Sequence, residues 1–162
     1  MKSFGTLGIV IAVLAVLLIA GCGSYNGFVD GEEDVENKWA DVQTEYQRRS
    51  DLIGNLVSTV KGAADFEKST LEAVTNARAK ATSINIDPSN MTAEQLQQFE
   101  AAQGQLTSGL GRLLATAENY PQLRATEGFR DLQVQLEGTE NRISTSRKRF
   151  NEQATAFNKS VR

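Results

Sequence analysis

Cys22 is the residue of this sequence whose type and position together point most directly to a chemistry. It is the only cysteine in the chain, so a disulfide within the chain is impossible. It ends the tetrapeptide Ile19-Ala20-Gly21-Cys22, which resembles the bacterial lipobox. In a lipobox the cysteine accepts a diacylglyceryl thioether and becomes the new N-terminus. Cys22 is therefore a candidate lipid-attachment residue, unless it is only a small residue at the end of a transmembrane helix.

A cluster of acidic residues follows the cysteine after a short uncharged stretch. These residues could bind a Ca²⁺ ion: Asp30, Glu32, Glu33 and Asp34. They lack the Asp-x-Asp-x-Asp-Gly spacing of an EF-hand loop, however. We expect these acids instead to complement the positive N-terminal end of the first exported helix.

The sequence lacks the residue types and motifs on which most enzymes depend. It contains no histidine, which is the most common general base and metal ligand. It contains no P-loop, no dinucleotide-binding fingerprint and no Gly-x-Ser-x-Gly turn. A carboxylate pair acting as a hydrolase is conceivable, but no spacing points to one. We therefore predict no catalytic residue, no metal site and no cofactor.

Residues 1–22 are predicted to anchor the chain in a membrane. An apolar run from Leu7 to Ala20 follows Lys2, and no further charge occurs before Asp30. A spanning helix needs about 20 mainly apolar residues. A secretory signal needs a positive start, an apolar stretch and small residues at the cleavage site. The segment fits both descriptions, so a transmembrane helix and a lipoprotein signal both stay open.

The distribution of charge predicts which side of the membrane the rest of the chain occupies. Lys2 precedes the apolar run and acidic residues follow it, so the positive-inside rule places the remainder outside the cytoplasm. The chain carries 17 Lys+Arg and 20 Asp+Glu, for a net charge of −3. Nucleic acids need a basic surface, so we predict no nucleic-acid partner, and no motif identifies a small-molecule substrate.

The remainder of the chain is predicted to be all-α. Residues 23–31 contain three glycines and are predicted to form a short tether. The first exported helix is then predicted from about Glu32 to Thr82, and Gly62 favours a bend within it. Thr92 and Gln95 match a capping box that starts the second helix. That helix carries a heptad seam with one polar member: Leu96, Phe99, Gln103, Leu106, Leu110, Leu113, Ala117 and Tyr120.

A third helix is predicted from Gln122 to the end of the chain, with a narrow apolar stripe. The stripe repeats every seven residues through Phe129, Leu136, Ile143, Phe150 and Phe157, while the positions between them are mostly polar. The C-terminal part of such a helix packs at the edge of a bundle or contacts a partner. We therefore predict Phe150 and Phe157 as partner-contact residues, for a second copy of the chain or for another protein.

The first exported helix carries aromatic and charged side chains that could belong to a binding site. Trp39 and Tyr46 lie seven residues apart on its apolar stripe, where a packing role is more common than a ligand platform. The polar residues that follow are expected to form solvated pairs: Arg48, Arg49, Asp51 and Asn55. The predicted architecture of residues 32–162 is an elongated antiparallel bundle of three long helices, or four if the first is broken.

Several segments together resemble the LemA family of bacterial membrane-associated proteins. They are Tyr25-Asn26-x-Phe28-Val29, Val35-x-x-x-Trp39-x-x-Val42, the block from Tyr46 to Gly62, Glu118-Asn119-Tyr120-Pro121-x-Leu123, Phe129-x-x-Leu132-Gln133, Leu136-x-x-Thr139-Glu140 and Arg147-x-x-Phe150-Asn151. The resemblance implies one N-terminal membrane segment, an exported helical bundle and no established enzymatic activity. It supplies no catalytic residues.

These observations predict a membrane-anchored, non-enzymatic helical protein of the bacterial cell envelope. Its expected role is that of a scaffold or of a protein that binds a protein partner, with self-association included. The alternative is a module that holds an envelope ligand between its helices, such as a peptide, a lipid or a metal ion.

Overall fold

The computed structural model describes the backbone of residues 3–63 and 66–161, and the side chains of residues 27–63 and 66–161. The protein is all-α and 88% helical, and the described residues include no strand. Its α-helices are α1 (Ser3–Lys61), α2 (Lys68–Ser83), α3 (Ala93–Ala117), α4 (Pro121–Arg124) and α5 (Glu127–Ser160), with a 3₁₀ turn at Pro88–Asn90 between α2 and α3.

Helix α1 is one continuous helix of 59 residues. The prediction that residues 23–31 form a non-helical tether is therefore wrong. Glycine lowers helix propensity by about 1 kcal/mol but, unlike proline, it keeps the N–H that the helix needs. Extending an existing helix also avoids the cost of a new nucleus. Gly31 also makes room for α5, since a Cβ atom there would lie 2.9 Å from Cδ2 of Phe157 and would displace that ring.

The predicted break in the first exported helix is confirmed near Gly62. Helix α1 ends at Lys61 and α2 begins at Lys68. The backbone N–H of Gly62 donates to the carbonyl of Thr59, and that of Ala63 donates to Val60, which tightens the last turn of α1. The bundle therefore has four long helices, as the second form of the prediction allowed.

The long helices pack as an antiparallel bundle. Glu45 on α1 lies 3.0 Å from Arg142 on α5, and Asp34 accepts a hydrogen bond from Gln153 further along α5. Since the residue number rises on one helix as it falls on the other, α1 and α5 run in opposite directions. Lys80 on α2 contacts Gln105 on α3, and a Cβ atom at Gly109 would lie 3.5 Å from Val74 of α2, so α2 and α3 are also antiparallel.

Two helix starts differ in how well the sequence predicts them. The capping box at α3 is confirmed: the Thr92 hydroxyl accepts from the Gln95 backbone, and the Gln95 side chain accepts from the Thr92 backbone. The helix predicted from Gln122 to the end is interrupted instead. Pro121 opens the four-residue helix α4, which ends in tight hydrogen bonds that include Thr126 N–H to Leu123 O, and α5 then begins at Glu127.

The core consists of two clusters along the bundle. The aliphatic cluster fills the end near the α1–α2 turn and contains Leu52, Ile53, Leu56, Val57, Val60, Leu71, Val74, Ala81, Ala102, Leu106, Leu110, Leu113, Ala117, Leu123, Phe129 and Leu136. The aromatic cluster fills the opposite part and contains Trp39, Val42, Tyr46, Ile86, Phe99, Ile143 and Phe150.

The end of the bundle beyond the aromatic cluster, where α5 ends and α1 continues toward residue 3, is called the basal end below. Among the residues whose side chains the structure describes, no helix is both long and apolar enough to cross a membrane. The side chains of the predicted anchor, residues 1–22, lie outside that part of the chain.

Candidate functional site

The residues predicted as lipid-attachment or partner-contact sites differ in how the structure places them. Cys22 lies outside the described side chains. Phe150 is buried, and its ring centroid lies 5.1 Å from that of Trp39. Phe157 is half-buried beside Gly31. Both phenylalanines therefore have neighbours within the chain, and their contact with a partner stays a prediction.

The aromatic cluster is a packed core and confirms the packing role expected for Trp39 and Tyr46. The Phe99 ring lies between them, with centroid distances of 5.5 Å to Trp39 and 5.1 Å to Tyr46, and both pairs meet edge to face. Such aromatic pairs add about 0.5–1.5 kcal/mol beyond the area they bury. Burial raises the pKa of Tyr46 above its ordinary value, and the nearby Arg147 and Arg49 oppose that shift.

The loop after α2 is tied to this cluster by hydrogen bonds. The Trp39 indole Nε1 donates to the carbonyl of Ile86 at 3.2 Å, and Gln43 Nε2 donates to the same carbonyl at 3.0 Å. Within the loop, the hydroxyl and backbone N–H of Ser89 donate to Asp87 Oδ1 and lower the pKa of Asp87. The loop is thus held both by its own turn and by two side chains of α1.

A buried arginine lies between the aromatic and aliphatic clusters. Arg49 is 2% exposed, so the expectation that it forms a solvated surface pair is wrong. Its Nη1 donates to Glu140 Oε1 at 2.9 Å and to Thr107 Oγ1 at 3.0 Å, and its Nη2 donates to the side chain of Gln103. The guanidinium carbon also lies 5.0 Å from the centroid of the Tyr46 ring.

Arg49 therefore joins three helices at one level of the bundle. Gln103 and Thr107 belong to α3, Glu140 belongs to α5, and Arg49 itself belongs to α1. A guanidinium presents five donors in a planar fork, which suits several partners at once. Because these donors meet an amide, a hydroxyl and a carboxylate, the arrangement fixes the register of the helices and presents no evident nucleophile.

Other polar side chains accompany Arg49, and they form the polar layer together with it. Ser50, Gln103 and Thr139 are buried, whereas Thr107 is exposed and Glu140 is half-buried. Gln103, the one polar member of the predicted seam, is 7% exposed and donates to the Ala81 carbonyl at 3.4 Å. Thr139 is fully buried and accepts from Arg142 at 2.9 Å. Within the described part of the chain, Arg49 Nε and Ser50 Oγ are buried without a hydrogen-bond partner. Such atoms are costly to bury, which makes this layer the least satisfied part of the core.

A groove of about 810 Å³ opens next to the polar layer, between α1, the end of α2 and the following loop. Its volume falls in the range typical of small-molecule sites. One charge of each sign lines the groove, Arg48 and Asp51, and Phe99, Gln103 and Leu106 of α3 also line it. The other polar lining residues include these uncharged ones: Gln43, Thr44, Gln47, Asn55, Thr82 and Asn85. Carboxamides both donate and accept hydrogen bonds, so the groove suits a polar ligand without a large net charge.

The acidic residues after the anchor do not lie where the sequence suggested. Asp30, Glu32, Glu33 and Asp34 are exposed residues within α1, which begins far earlier at Ser3. The expectation that they complement the N-terminal end of the first exported helix is therefore wrong. In the part of the chain with described side chains, no group of three or more His, Cys, Asp or Glu side chains could hold a metal ion.

Sequence comparisons identify relatives over most of the chain. The family model described as LemA family matches residues 38–162, which confirms the resemblance drawn from the motifs. Magnetosome protein MamQ 2 of Paramagnetospirillum magneticum is 28% identical over 166 residues, covering 92% of this chain and 60% of the relative. Magnetosome protein MamQ of Magnetospirillum gryphiswaldense is 26% identical, covering 97% of this chain and 65% of the relative.

A relative with the family name itself is also found. Protein LemA of Metamycoplasma hominis is 22% identical over 151 residues, covering 93% of this chain and 65% of the relative. The chain thus spans 60% to 65% of the length of these relatives.

Proposed function

The chain belongs to the LemA family, and we propose that it is a membrane-anchored, non-enzymatic helical protein of the bacterial cell envelope. In this proposal residues 1–22 hold the chain at the membrane, through a spanning helix or a lipid on Cys22. The bundle stands on the extracytoplasmic side and acts as a scaffold or binds a protein partner. The magnetosome role in the names of two of the relatives belongs to those proteins, since this chain spans only part of their length.

The observation that carries the proposal is the continuity of α1. The same helix contains the apolar run from Leu7 to Ala20 and, further along, the buried residues Trp39, Val42 and Ile53. At 1.5 Å per residue it is about 90 Å long. A segment held in the membrane would therefore position the bundle directly, because no described break separates the two parts. A rigidly held bundle suits a scaffold better than a freely tethered one does.

Membrane fractionation of the full chain tests the anchor. The wild-type chain should stay in the membrane fraction after alkaline carbonate extraction, whereas Leu14→Arg combined with Leu17→Arg should release it. Charged residues near the centre of a spanning helix cost about 2.5–3.5 kcal/mol each on insertion scales. The matched control places two arginines at exposed positions of α5, Gln135→Arg and Asn141→Arg, and should stay in the membrane. Release of wild type, or equal behaviour of the two double variants, would refute the proposal.

Thiol labelling in intact cells tests the side of the membrane. In a Cys22→Ser background, Arg130→Cys on the bundle should react with a membrane-impermeant maleimide added from outside the inner membrane. Ser3→Cys should react only after the cells are opened. The reverse pattern would place the bundle in the cytoplasm and contradict the proposed localisation.

A second candidate function, a ligand-binding module, is favoured by the groove beside the polar layer. The polar side chains that line the groove and the unpartnered Ser50 hydroxyl support a ligand that forms hydrogen bonds. Calorimetric titration of the full chain with a panel of peptides, lipids and Ca²⁺ tests it. Binding in the groove should be weakened by Asn55→Leu and unaffected by Asn141→Leu on an exposed face of α5. Absence of heat with every probe would end this candidate.

A further inference from the structure

Exposed apolar side chains concentrate at the basal end of the bundle. The described side chains include four large apolar residues that are exposed. Phe28 is 40% exposed, Val29 is 44% exposed and Val161 is 52% exposed, and all three lie where α1 continues toward the anchor and α5 ends. The fourth, Val134, lies far away along α5 and is 67% exposed. Single exposed apolar residues are normal, but a group of them marks a contact surface.

The end of α5 is held against α1 at this level. The Phe157 ring packs so closely on Gly31 that a Cβ atom there would lie 2.9 Å from it, and one turn earlier Gln153 donates to Asp34 at 3.3 Å. In this antiparallel register, Val161 reaches about the level of Gly27, one residue before Phe28. The last turn of α5 therefore lies beside the segment that leads to the anchor.

The length of the uncharged part of α1 indicates that the basal end of the bundle lies at the membrane surface. Residues 3–29 carry no charged side chain, and Asp30 is the first charge after them. At 1.5 Å per residue, these 27 helical residues extend over about 40 Å, close to the thickness of a bilayer including its headgroups. Phe28 and Val29 then lie at the outer edge of the headgroup layer. If Cys22 is lipidated instead, Phe28 is still only about 9 Å along the helix from the lipid.

We propose that the basal end of the bundle, with Phe28 and Val29 on α1 and Val161 directly after α5, is a lipid-contact surface that rests on the headgroup layer of the membrane. This inference depends on the anchoring proposed above and adds a second point of contact, the end of α5. Two contacts from different helices fix the tilt and the rotation of the bundle on the membrane, which one helix alone does not.

The charges around this surface predict how it depends on lipid composition. Lys159 and Arg162 lie within two residues of Val161 in the sequence. The neighbouring part of α1 carries four acidic residues: Asp30, Glu32, Glu33 and Asp34. Acidic residues outnumber basic ones here, so attraction to anionic lipid is not the main force. Burial of apolar side chains should dominate, and the contact should form on zwitterionic and anionic membranes alike.

A fluorescent probe at Val161 tests the contact in the full chain. In a Cys22→Ser background, Val161→Cys and Val134→Cys are each labelled with NBD and reconstituted into phosphatidylcholine vesicles, with and without phosphatidylglycerol. Val134 is the matched control, since it is an exposed valine of α5 far from the basal end. We expect a blue-shifted emission at position 161 that nitroxide-labelled lipids quench severalfold more strongly than at 134, in both lipid mixtures.

Three results would overturn the inference, and flotation of the vesicles separates them from a failure of the anchoring proposal. If the chain floats with the vesicles and both probes behave as in water, the end of α5 does not touch lipid. If the probe at 161 is blue-shifted but nitroxide lipids do not quench it, a second copy or another protein covers the surface. If neither these variants nor the wild-type chain with Cys22 float, the anchor itself is absent and both proposals fail.

Discussion

The two clusters of the core are built from different side chains and restrain the chain in different ways. The aliphatic cluster consists mostly of Leu, Val, Ile and Ala, whose burial is favourable in many orientations. The aromatic cluster concentrates Trp39, Tyr46, Phe99 and Phe150 around edge-to-face contacts, and it hydrogen-bonds a loop. The first cluster holds helices together, whereas the second also fixes where an irregular segment lies.

The polar layer marks the boundary between the two clusters. Arg49 belongs to α1 and reaches both α3 and α5, so it can form all its hydrogen bonds only when the three helices have one relative register. Neither cluster alone imposes such a condition, because apolar contacts tolerate small sliding movements. The layer therefore contributes specificity of packing, at the cost of the unpartnered Ser50 Oγ and Arg49 Nε.

Truncation of Trp39 should have the largest effect and should separate the two clusters. Trp39→Ala removes the contacts to Phe99 and Phe150 and should lower the free energy of unfolding by about 3–5 kcal/mol. Leu113→Ala in the aliphatic cluster should cost about 2–5 kcal/mol. Only Trp39→Ala should also increase amide exchange in residues 84–91, because that loop loses a donor and its packing. Urea unfolding and hydrogen–deuterium exchange measure the two quantities.

A conservative variant separates packing from hydrogen bonding at this position. Trp39→Phe keeps an aromatic ring but loses the indole donor. Gln43 still donates to the Ile86 carbonyl at 3.0 Å, so the loop should keep most of its protection from exchange. If Leu113→Ala loosened the loop as much as Trp39→Ala does, the distinction between the clusters would be wrong.

Substitution of Arg49 should have a smaller effect and should test the boundary between the clusters. Arg49→Met keeps an apolar side chain of similar length and leaves Gln103 without its donor, which should cost about 1–3 kcal/mol. Glu140 is 38% exposed at its side chain and can be hydrated, which limits the loss. Arg49→Lys keeps the charge but lacks the planar fork, so it should not restore full stability. Urea unfolding of both variants checks this, and wild-type stability of Arg49→Lys would show that charge alone suffices.

The periodicity of the sequence was sufficient to predict the leucines that α3 contributes to the aliphatic cluster. Leu106, Leu110 and Leu113 follow the three- and four-residue steps of the heptad seam, and all are buried as expected. These contacts depend on helical spacing, which is a local property of the sequence. The same seam identified Gln103 as its polar exception, and that residue became a member of the polar layer.

The aromatic cluster and the polar layer depend on contacts that local spacing does not reveal. Trp39 donates a hydrogen bond to Ile86, which is 47 residues away in the sequence, and Arg49 donates one to Glu140, which is 91 residues away. One local signal for Arg49 did exist: it lies three residues after Tyr46 and four before Ile53, and so continues the apolar stripe. A charged residue at such a position is costly to bury alone, and its partners become visible only once α3 and α5 are in place.

Removal of the Tyr46 hydroxyl should have the smallest effect at neutral pH and a growing one in alkali. Burial raises the pKa of Tyr46 above 10, so the folded chain keeps the phenol proton at a pH where the unfolded chain begins to lose it. Stability from this group is therefore fully present below about pH 10 and is lost as the pH rises through the higher folded value. Tyr46→Phe has no such proton, and its stability relative to wild type should rise above about pH 10.

The single tryptophan allows this change to be followed inside the aromatic cluster itself. Trp39 is the only tryptophan of the chain, and both Trp39 and Tyr46 pack against Phe99. Urea titrations followed by Trp39 emission, at pH 7 and at several values above about pH 10, should give midpoints for wild type and Tyr46→Phe that diverge only in the alkaline range. All other residues are the same in both proteins, so their contributions cancel in the difference. A difference that stays constant with pH would mean that burial of Tyr46 does not couple the aromatic cluster to pH.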